Sequence, residues 1–382
     1  MPPLSLDLCG AEVLWDSELE RRDISVQDGK ISGSHVGRPI DLAGFMVLPG
    51  IIDVHGDAFE RQLAPRRGVV TDLRPGLLAL DAELAANGIT TAMLAQFWSW
   101  EGGMRSPEFA RRLLSVLGRA RGALNTDMRV QLRFETHLLD DYEAFAEAVA
   151  DFSVGYVVFN DHIPHSALEL GRRPPRLTGQ ALKSGRNPEV HLELLRGLHA
   201  RTNEVGPELD RLIPALKERG VLLGSHDDPT TDIRQHWNEV GVGIAEFPET
   251  SEVAQAAKAA GDRVVLGAPN VVRGGSHAGK LSAREAVAKG LCDALASDYH
   301  YPSVLQAVIA LSGANKDAFA GNWSLVSSGP AKLLGLADRG HLIPEMRADL
   351  VVFDPAEGRI GATISGGSIA HLSGKVAERF LS

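Results

Sequence analysis

Val47-Leu48-Pro49-Gly50-Ile51-Ile52-Asp53-Val54-His55-Gly56-Asp57 is the stretch on which the fold turns. Residues 47–54 are almost wholly apolar without helical spacing, and they run directly into imidazole and carboxylate side chains. A short apolar run of this kind reads as a strand buried on both faces, as strands of parallel sheets are. His55 and Asp57 stand two apart, so on an extended chain both project to one side, where they could grip one metal ion.

Seven further runs repeat the pattern, at residues 90–96, 129–135, 155–160, 221–225, 242–247, 263–267 and 294–297. Amphipathic segments separate them. One ends at Gly88, one begins at Pro107 and runs to Leu117, and one is led by Ser282 and closes at Gly290. Strands alternating with helices are βα units, and eight of them predict a closed (β/α)8 barrel of the α/β class over residues 47–340.

The ends read differently. Asp28-Gly29-Lys30 is a hairpin signal among short strands in residues 4–45, while residues 348–353 form an apolar run among Gly-rich turns. Residues 1–46 and 341–382 are therefore expected to build one small β-sandwich flanking the barrel. The basic, Pro- and Gly-punctuated residues 171–187 are expected to form a long loop.

Composition narrows the function. The 382 residues are 44% hydrophobic and 5% aromatic, with 40 Gly and 20 Pro, which excludes a fibre, a coiled coil or wholesale disorder. The 39 Lys and Arg stand against 49 Asp and Glu, a net charge of -10 with no basic run, which argues against nucleic acid as a partner. Cys9 and Cys292 are the only cysteines, too few for a disulfide framework or a thiolate zinc site. Residues 1–10 lack a signal-peptide pattern, and no apolar run has the length of a membrane span. A cytoplasmic protein without membrane contact is expected.

In such barrels polar residues at the C-terminal strand ends converge on one mouth. Glu135 ends the third strand, where Val130, Leu132 and Phe134 alternate with Gln131 and Arg133. His137, two residues on, reads more readily as a loop histidine. The fourth strand ends in Asn160-Asp161-His162, the fifth in Ser225-His226-Asp227-Asp228 and the eighth in Ser297-Asp298-Tyr299. Adjacent residues on a strand point oppositely, so at most one of Asp227 and Asp228 should face the mouth. Any one of these groups could be a cap. Together they suit zinc, manganese or iron(II), and Asp298 is the expected general base toward a metal-activated water. Arg61, with Arg66 and Arg67 beside Pro65, and the segment from Arg273 to Lys280 combine cations with Gly-exposed amides, as a phosphate cradle would.

Residues 47–55 resemble the first-strand signature of the amidohydrolase superfamily, and Ala348-Asp349-Leu350-Val351-Val352 resembles its C-terminal return into a small β-sandwich. A narrower set resembles the phosphonate-metabolism branch of that superfamily over nearly the whole chain. It comprises His55-Gly56-Asp57 in place of the usual His-x-His, Glu60-Arg61, Pro65-Arg66, Ser225-His226-Asp227-Asp228, Glu246-Phe247-Pro248, the run from Gly267 to His277, and Ala296-Ser297-Asp298-Tyr299. The resemblance implies release of pyrophosphate from alpha-D-ribose 1-methylphosphonate 5-triphosphate, a step of the carbon-phosphorus lyase pathway. It implies one or two divalent ions, zinc first, with manganese or iron as alternatives. The ligands it implies are His55, Asp57, Glu135, His162, His226 and Asp298, with Arg66, Arg273, His277 and Lys280 facing phosphates. It also implies a small phosphorylated substrate and a homo-oligomer.

Two departures bear on the pocket. Ile163-Pro164-His165-Ser166 replaces a Thr-Pro-Gly-Gln-like segment, and Pro65-Arg66-Arg67-Gly68 replaces Pro-Arg-Pro-Gly. Glu246 stands on the sixth strand where many relatives place a histidine, and no Lys ends the fourth strand, which would leave Glu135 to bridge two ions. The competing reading is an amidohydrolase in the ordinary sense, cleaving a C-N bond in a cyclic amide, an N-acyl compound or an aminated base. A non-catalytic scaffold would not need such residues at five strand ends.

Overall fold

The computed structural model describes residues 5–35, 37–64, 72–275 and 280–382. Eight strands form one parallel sheet whose neighbours follow sequence order: Ile51–Gly56, Ile89–Trp98, Asp127–Glu135, Tyr156–Asn160, Leu222–His226, Ile244–Glu246, Arg263–Gly267 and Ala294–Ala296. A parallel bridge between Gly56 and Asp298 links the end of the eighth strand to the end of the first, so the sheet is a near-closed (β/α)8 barrel. Helices cover its outside. The apolar runs are strands buried on both faces; in Ile89–Trp98 every residue is buried.

The chain divides into two compact units. The first comprises Met1–Leu94, Ala120–Arg129 and Arg263–Ser382. It holds the first, seventh and eighth strands and two further sheets. A four-stranded sheet has the order Lys30–Ser32, Ile24–Gln27, Leu6–Cys9, Arg38–Asp41. A six-stranded sheet has the order Ser368–Leu372, Arg359–Ser365, Leu350–Asp354, Met46–Pro49, Glu12–Trp15, Glu18–Arg21, so both chain ends build the β-sandwich. Leu8, Val13, Val26, Ile40, Val352 and Ile364 lie in its shared core. The hairpin signal is met by Asp28 and Gly29, both with positive φ (51° and 79°), between the antiparallel strands Ile24–Gln27 and Lys30–Ser32.

The opening stretch proves to be two strands. Met46–Pro49 pairs antiparallel with Leu350–Asp354 in the β-sandwich, and the barrel strand begins at Ile51. Gly50 is the junction, and a Cβ there would lie 2.3 Å from Thr90 Oγ1, so no side chain fits where the backbone changes sheets.

The second unit comprises Ala95–Arg119 and Val130–Asp262. In it the third to sixth strands pair in parallel with Glu135 opposite Asn160 and His226 opposite Glu246, which sets the strand ends level. Residues 171–187 are not one long loop. They contain the helix Leu177–Lys183, whose Leu177 and Ala181 are buried, Leu177 packing with Trp100, Ile163, Leu192 and Leu195. A single i, i+4 apolar pair on a two-turn helix is too short a pattern to stand out beside its Pro and Gly flanks. Among the described residues no helix is long and apolar enough to cross a membrane.

Candidate functional site

In the first unit the ends of the first and eighth strands are laced by backbone. The Asp298 N–H donates to the His55 carbonyl at 2.9 Å, and the Asp57 N–H donates to the Asp298 carbonyl at 2.9 Å. Asp53 anchors the seam, its Oδ1 accepting from Ser297 N at 2.9 Å and its Oδ2 from Ser297 Oγ at 2.6 Å. Burial pushes the Asp53 carboxyl above its usual range, and the Ser297 donors only partly offset it. His55 is buried, while Asp57 and Asp298 are half-buried. Asp298 sits at φ 54°, a left-handed conformation costly for a residue with a Cβ. Asp227 and Phe247, which follow the fifth and sixth strands, share it at 57° and 54°.

Arg273 lies on the same unit and donates from a guanidinium nitrogen to Tyr299 Oη at 2.5 Å, beside Asp298. Lys280 is exposed. Arg61 forms a salt bridge with Glu83, whose carboxylate also accepts from Gln62 Nε2 at 2.7 Å. Arg66 and His277 lie outside the described residues.

In the second unit, Glu135 is fully buried and pairs through Oε1 with His162 Nδ1, while its Oε2 accepts from the His162 N–H at 3.1 Å. Burial pushes Glu135 up but the imidazole beside it wins, holding its carboxyl below the usual range. Burial likewise pulls His162 down and is outweighed by Glu135, leaving the imidazole above its ordinary value. The His162 and His226 rings have centroids 6.3 Å apart. His226 Nδ1 is 3.1 Å from Asp227 Oδ2.

Asp227 and Asp228 follow the fifth strand and diverge, the chain turning at Asp227 through a positive φ of 57°. Asp227 is exposed beside His226, whereas Asp228 is buried against Ser225 Oγ at 2.7 Å and Arg234 at 3.0 Å. Arg234 also reaches Asp262 at 3.2 Å, so Asp228 belongs to a buried ion network that holds the fold. Glu246 is buried, with Gln131 Nε2 donating at 2.6 Å and Tyr156 Oη at 2.7 Å to its Oε1. It is a fixed carboxylate at the end of the sixth strand, opposite His226.

The sequence reading passed over several residues of this rim. Arg133 is buried, with two nitrogens on Asn160 Oδ1 at 3.1 and 2.9 Å and one 3.0 Å from His226 Nε2. Its place on the inward face was visible in the alternation with Gln131 and Glu135. Glu101 is also buried, and Arg105 donates to both of its oxygens, at 2.9 and 3.0 Å. No motif marks Glu101, because it follows an apolar strand in an irregular turn.

Within this unit the ligand atoms of Glu101, Glu135 and His162 lie within 4.8 Å of one another, as do those of His162, His226 and Asp227. Mixed imidazole and carboxylate donors fit a borderline divalent ion.

No family model matches the chain. The curated alpha-D-ribose 1-methylphosphonate 5-triphosphate diphosphatase of Escherichia coli (strain K12) is 31% identical over 353 residues, which cover 89% of this chain and 93% of the relative. Among solved structures, the β-aspartyl dipeptidase of Fervidobacterium islandicum AW-1 matches at TM-score 0.61 and 13% identity, over 96% of this chain and 97% of that one. The N-acetyl-D-glucosamine-6-phosphate deacetylase of Mycobacterium smegmatis matches at TM-score 0.60 and 16% identity, over 96% and 99%. At such identities these two likenesses concern the fold alone.

Proposed function

This chain belongs to the amidohydrolase superfamily and, within it, to the family of the alpha-D-ribose 1-methylphosphonate 5-triphosphate diphosphatase, and from that premise we propose that it hydrolyses this triphosphate with release of pyrophosphate. The chain is a hydrolase of this family; the bond it breaks is the proposal. The observation that carries it is the match of 31% identity over 353 residues, across 93% of the curated relative.

His55, Asp57, Glu135, His162, His226 and Asp298 are the proposed holders of one or two divalent ions, zinc first. An ion there supplies a Lewis acid for developing charge on the phosphoryl group and lowers the pKa of a water. Glu135 and His162 already face each other as a hydrogen-bonded pair at the strand ends. Arg133, fixed on Asn160, brings a permanent cation to the same rim, where it offsets phosphate charge.

Asp298 is the proposed base. Its backbone is pinned on both sides by the first strand, which holds the carboxylate where the strand ends and lets it take the proton of the attacking water. Attack at phosphorus forms one P–O bond as the bond to departing pyrophosphate breaks. Arg273, steadied by Tyr299, donates to non-bridging oxygens and neutralises their charge. Lys280 adds a second cation, and Arg61 contributes only by leaving Glu83.

The test is to incubate the metal-loaded protein with ribose 1-methylphosphonate 5-triphosphate and, separately, with a nucleoside triphosphate, following pyrophosphate by phosphorus NMR. Pyrophosphate from the first substrate, and much less from the second, supports the reading. No release from either, with metal bound, overturns it in favour of C-N hydrolysis.

A further inference from the structure

His137, Asp161, His165 and His199 form a cluster in the second unit that the reaction above does not use. His137 follows the third strand by two residues, and Asp161 directly follows the fourth. His165 opens the helix His165–Glu169, and His199 lies in the helix Pro188–Ala200. His137 is buried, whereas Asp161 is exposed, so the cluster opens to solvent on one side.

Two of the distances match edges of a coordination polyhedron, while Asp161 Oδ2 lies 3.0 Å from His165 Nε2. Asp161 Oδ1 lies 3.4 Å from His137 Nδ1 and 3.3 Å from His165 Nε2. A tetrahedral zinc ion with ligands at about 2.0–2.1 Å sets its ligand atoms about 3.3–3.4 Å apart. One carboxylate oxygen thus already stands at two such edges, and all three ligand atoms fall within 4.8 Å of one another.

The outer partners point the right nitrogens inward. Thr202 Oγ1 donates to the His199 carbonyl at 2.7 Å, so its contact with His137 Nε2 at 3.2 Å is one in which the imidazole N–H donates. A neutral His137 then turns the lone pair of Nδ1 toward Asp161. Thr136 Oγ1, 3.5 Å from that nitrogen, gives its own proton to the Asn160 carbonyl at 3.2 Å. His165 Nδ1 is 2.8 Å from His199 Nδ1, and with the proton between them on His165 a neutral imidazole presents the lone pair of Nε2 to Asp161. Metal-bound histidines are held in this manner, each by a hydrogen bond from its distal nitrogen.

We propose that His137 Nδ1, Asp161 Oδ1 and His165 Nε2 bind a second, zinc-type divalent cation, with His199 and Thr202 orienting the two imidazoles. The site is separate from the ligands assigned to catalysis and independent of which bond the enzyme breaks. Two imidazoles and one carboxylate select zinc, cobalt or nickel over magnesium. The ion ties the turn after Glu135 to the segment after His162, and so braces the two loops that carry those residues.

The test is zinc stoichiometry, by elemental mass spectrometry, of protein loaded with zinc and desalted. The H55N/H226N variant, stripped of two proposed catalytic ligands, is expected to keep one equivalent, and adding H137N and H165N is expected to remove it. Full retention after those two substitutions, or an H55N/H226N variant that folds by circular dichroism yet binds no zinc, overturns the site. Anomalous diffraction at the zinc edge from wild-type crystals is the check that needs no variant. A peak at bonding distance from His137 Nδ1 and His165 Nε2 supports the proposal, and zinc found only elsewhere overturns it.

Discussion

Asp53 and Glu135 are both fully buried carboxylates on barrel strands, yet their affinities for a proton move in opposite directions. Asp53 meets burial, opposed by the Ser297 hydroxyl and N–H and by a lesser pull from the His55 imidazole, and is pushed up. Glu135 meets the same burial but faces an imidazole that can carry charge, and is held down. Desolvation is common to both and each feels an imidazole, so the strength of that pull against burial decides the sign. The first and eighth strands thus hold their seam with a carboxyl that resists ionising, and the third and fourth hold theirs with an ion pair fit to become a ligand pair.

Five substitutions test this contrast. The largest effect is expected at Asp298 on the first seam. Asp298→Asn should keep its zinc and lose turnover by about 10³-fold, the scale of a general base. Near-normal kcat with full metal content would end its assignment as base.

Next comes the pair of variants that reads the two carboxyls directly, by denaturant unfolding of chelated protein across pH. Glu135→Gln should cost about 2 kcal/mol, less than the 3–5 of a wholly buried pair because His162 is 33% exposed. Glu135 is lowered from 4.5, so its contribution holds above that pH and is lost as pH falls through the folded value. His162 is raised from 6.5, so its contribution is complete below that pH and lost as pH rises through the folded value. The cost of Glu135→Gln should therefore be greatest between about 4.5 and 6.5 and shrink on both sides. Asp53 is raised from 3.8, so it erodes stability as pH climbs from there through its folded value. Asp53→Asn should remove that decline. Parallel pH profiles for the two variants would erase the contrast.

Gly56→Ala loads the first seam by volume alone. A Cβ there would lie 2.7 Å from Asp53 Oδ2 and 2.9 Å from both Ser297 Oγ and Tyr301, so unfolding should become easier by about 1–3 kcal/mol. An unchanged melting temperature would mean that the seam yields. The smallest effect is expected at Arg273→Ala, which should raise KM about tenfold and leave kcat nearly intact, as loss of one charged hydrogen bond does. An unchanged KM would take Arg273 out of substrate binding.

The barrel was readable because its strands are buried on both faces and its helices are closed by Gly and opened by Pro or a capping Ser. Ser282, for example, accepts from Glu285 N at the start of Ala283–Ala288. Strand ends singled out Glu135 and His162, which the structure brings into contact, since the position of a residue at the end of a strand is a local property. The break at Gly50 was not readable, because the two halves of that apolar run differ only in which distant strand they pair with.

The sequence by itself determined eight parallel strands and the carboxylate or imidazole groups beside the ends of five of them, since apolar runs, turn residues and the two-residue period of an extended chain are all local. Tertiary structure alone decided which partner each group met. It put Asp228 on Arg234, Arg61 on Glu83, Arg133 on Asn160 and His137 beside Asp161 and His165. These pairings join residues from different turns, strands or helices, and a charge acquires its role only from the charge and burial it finds there.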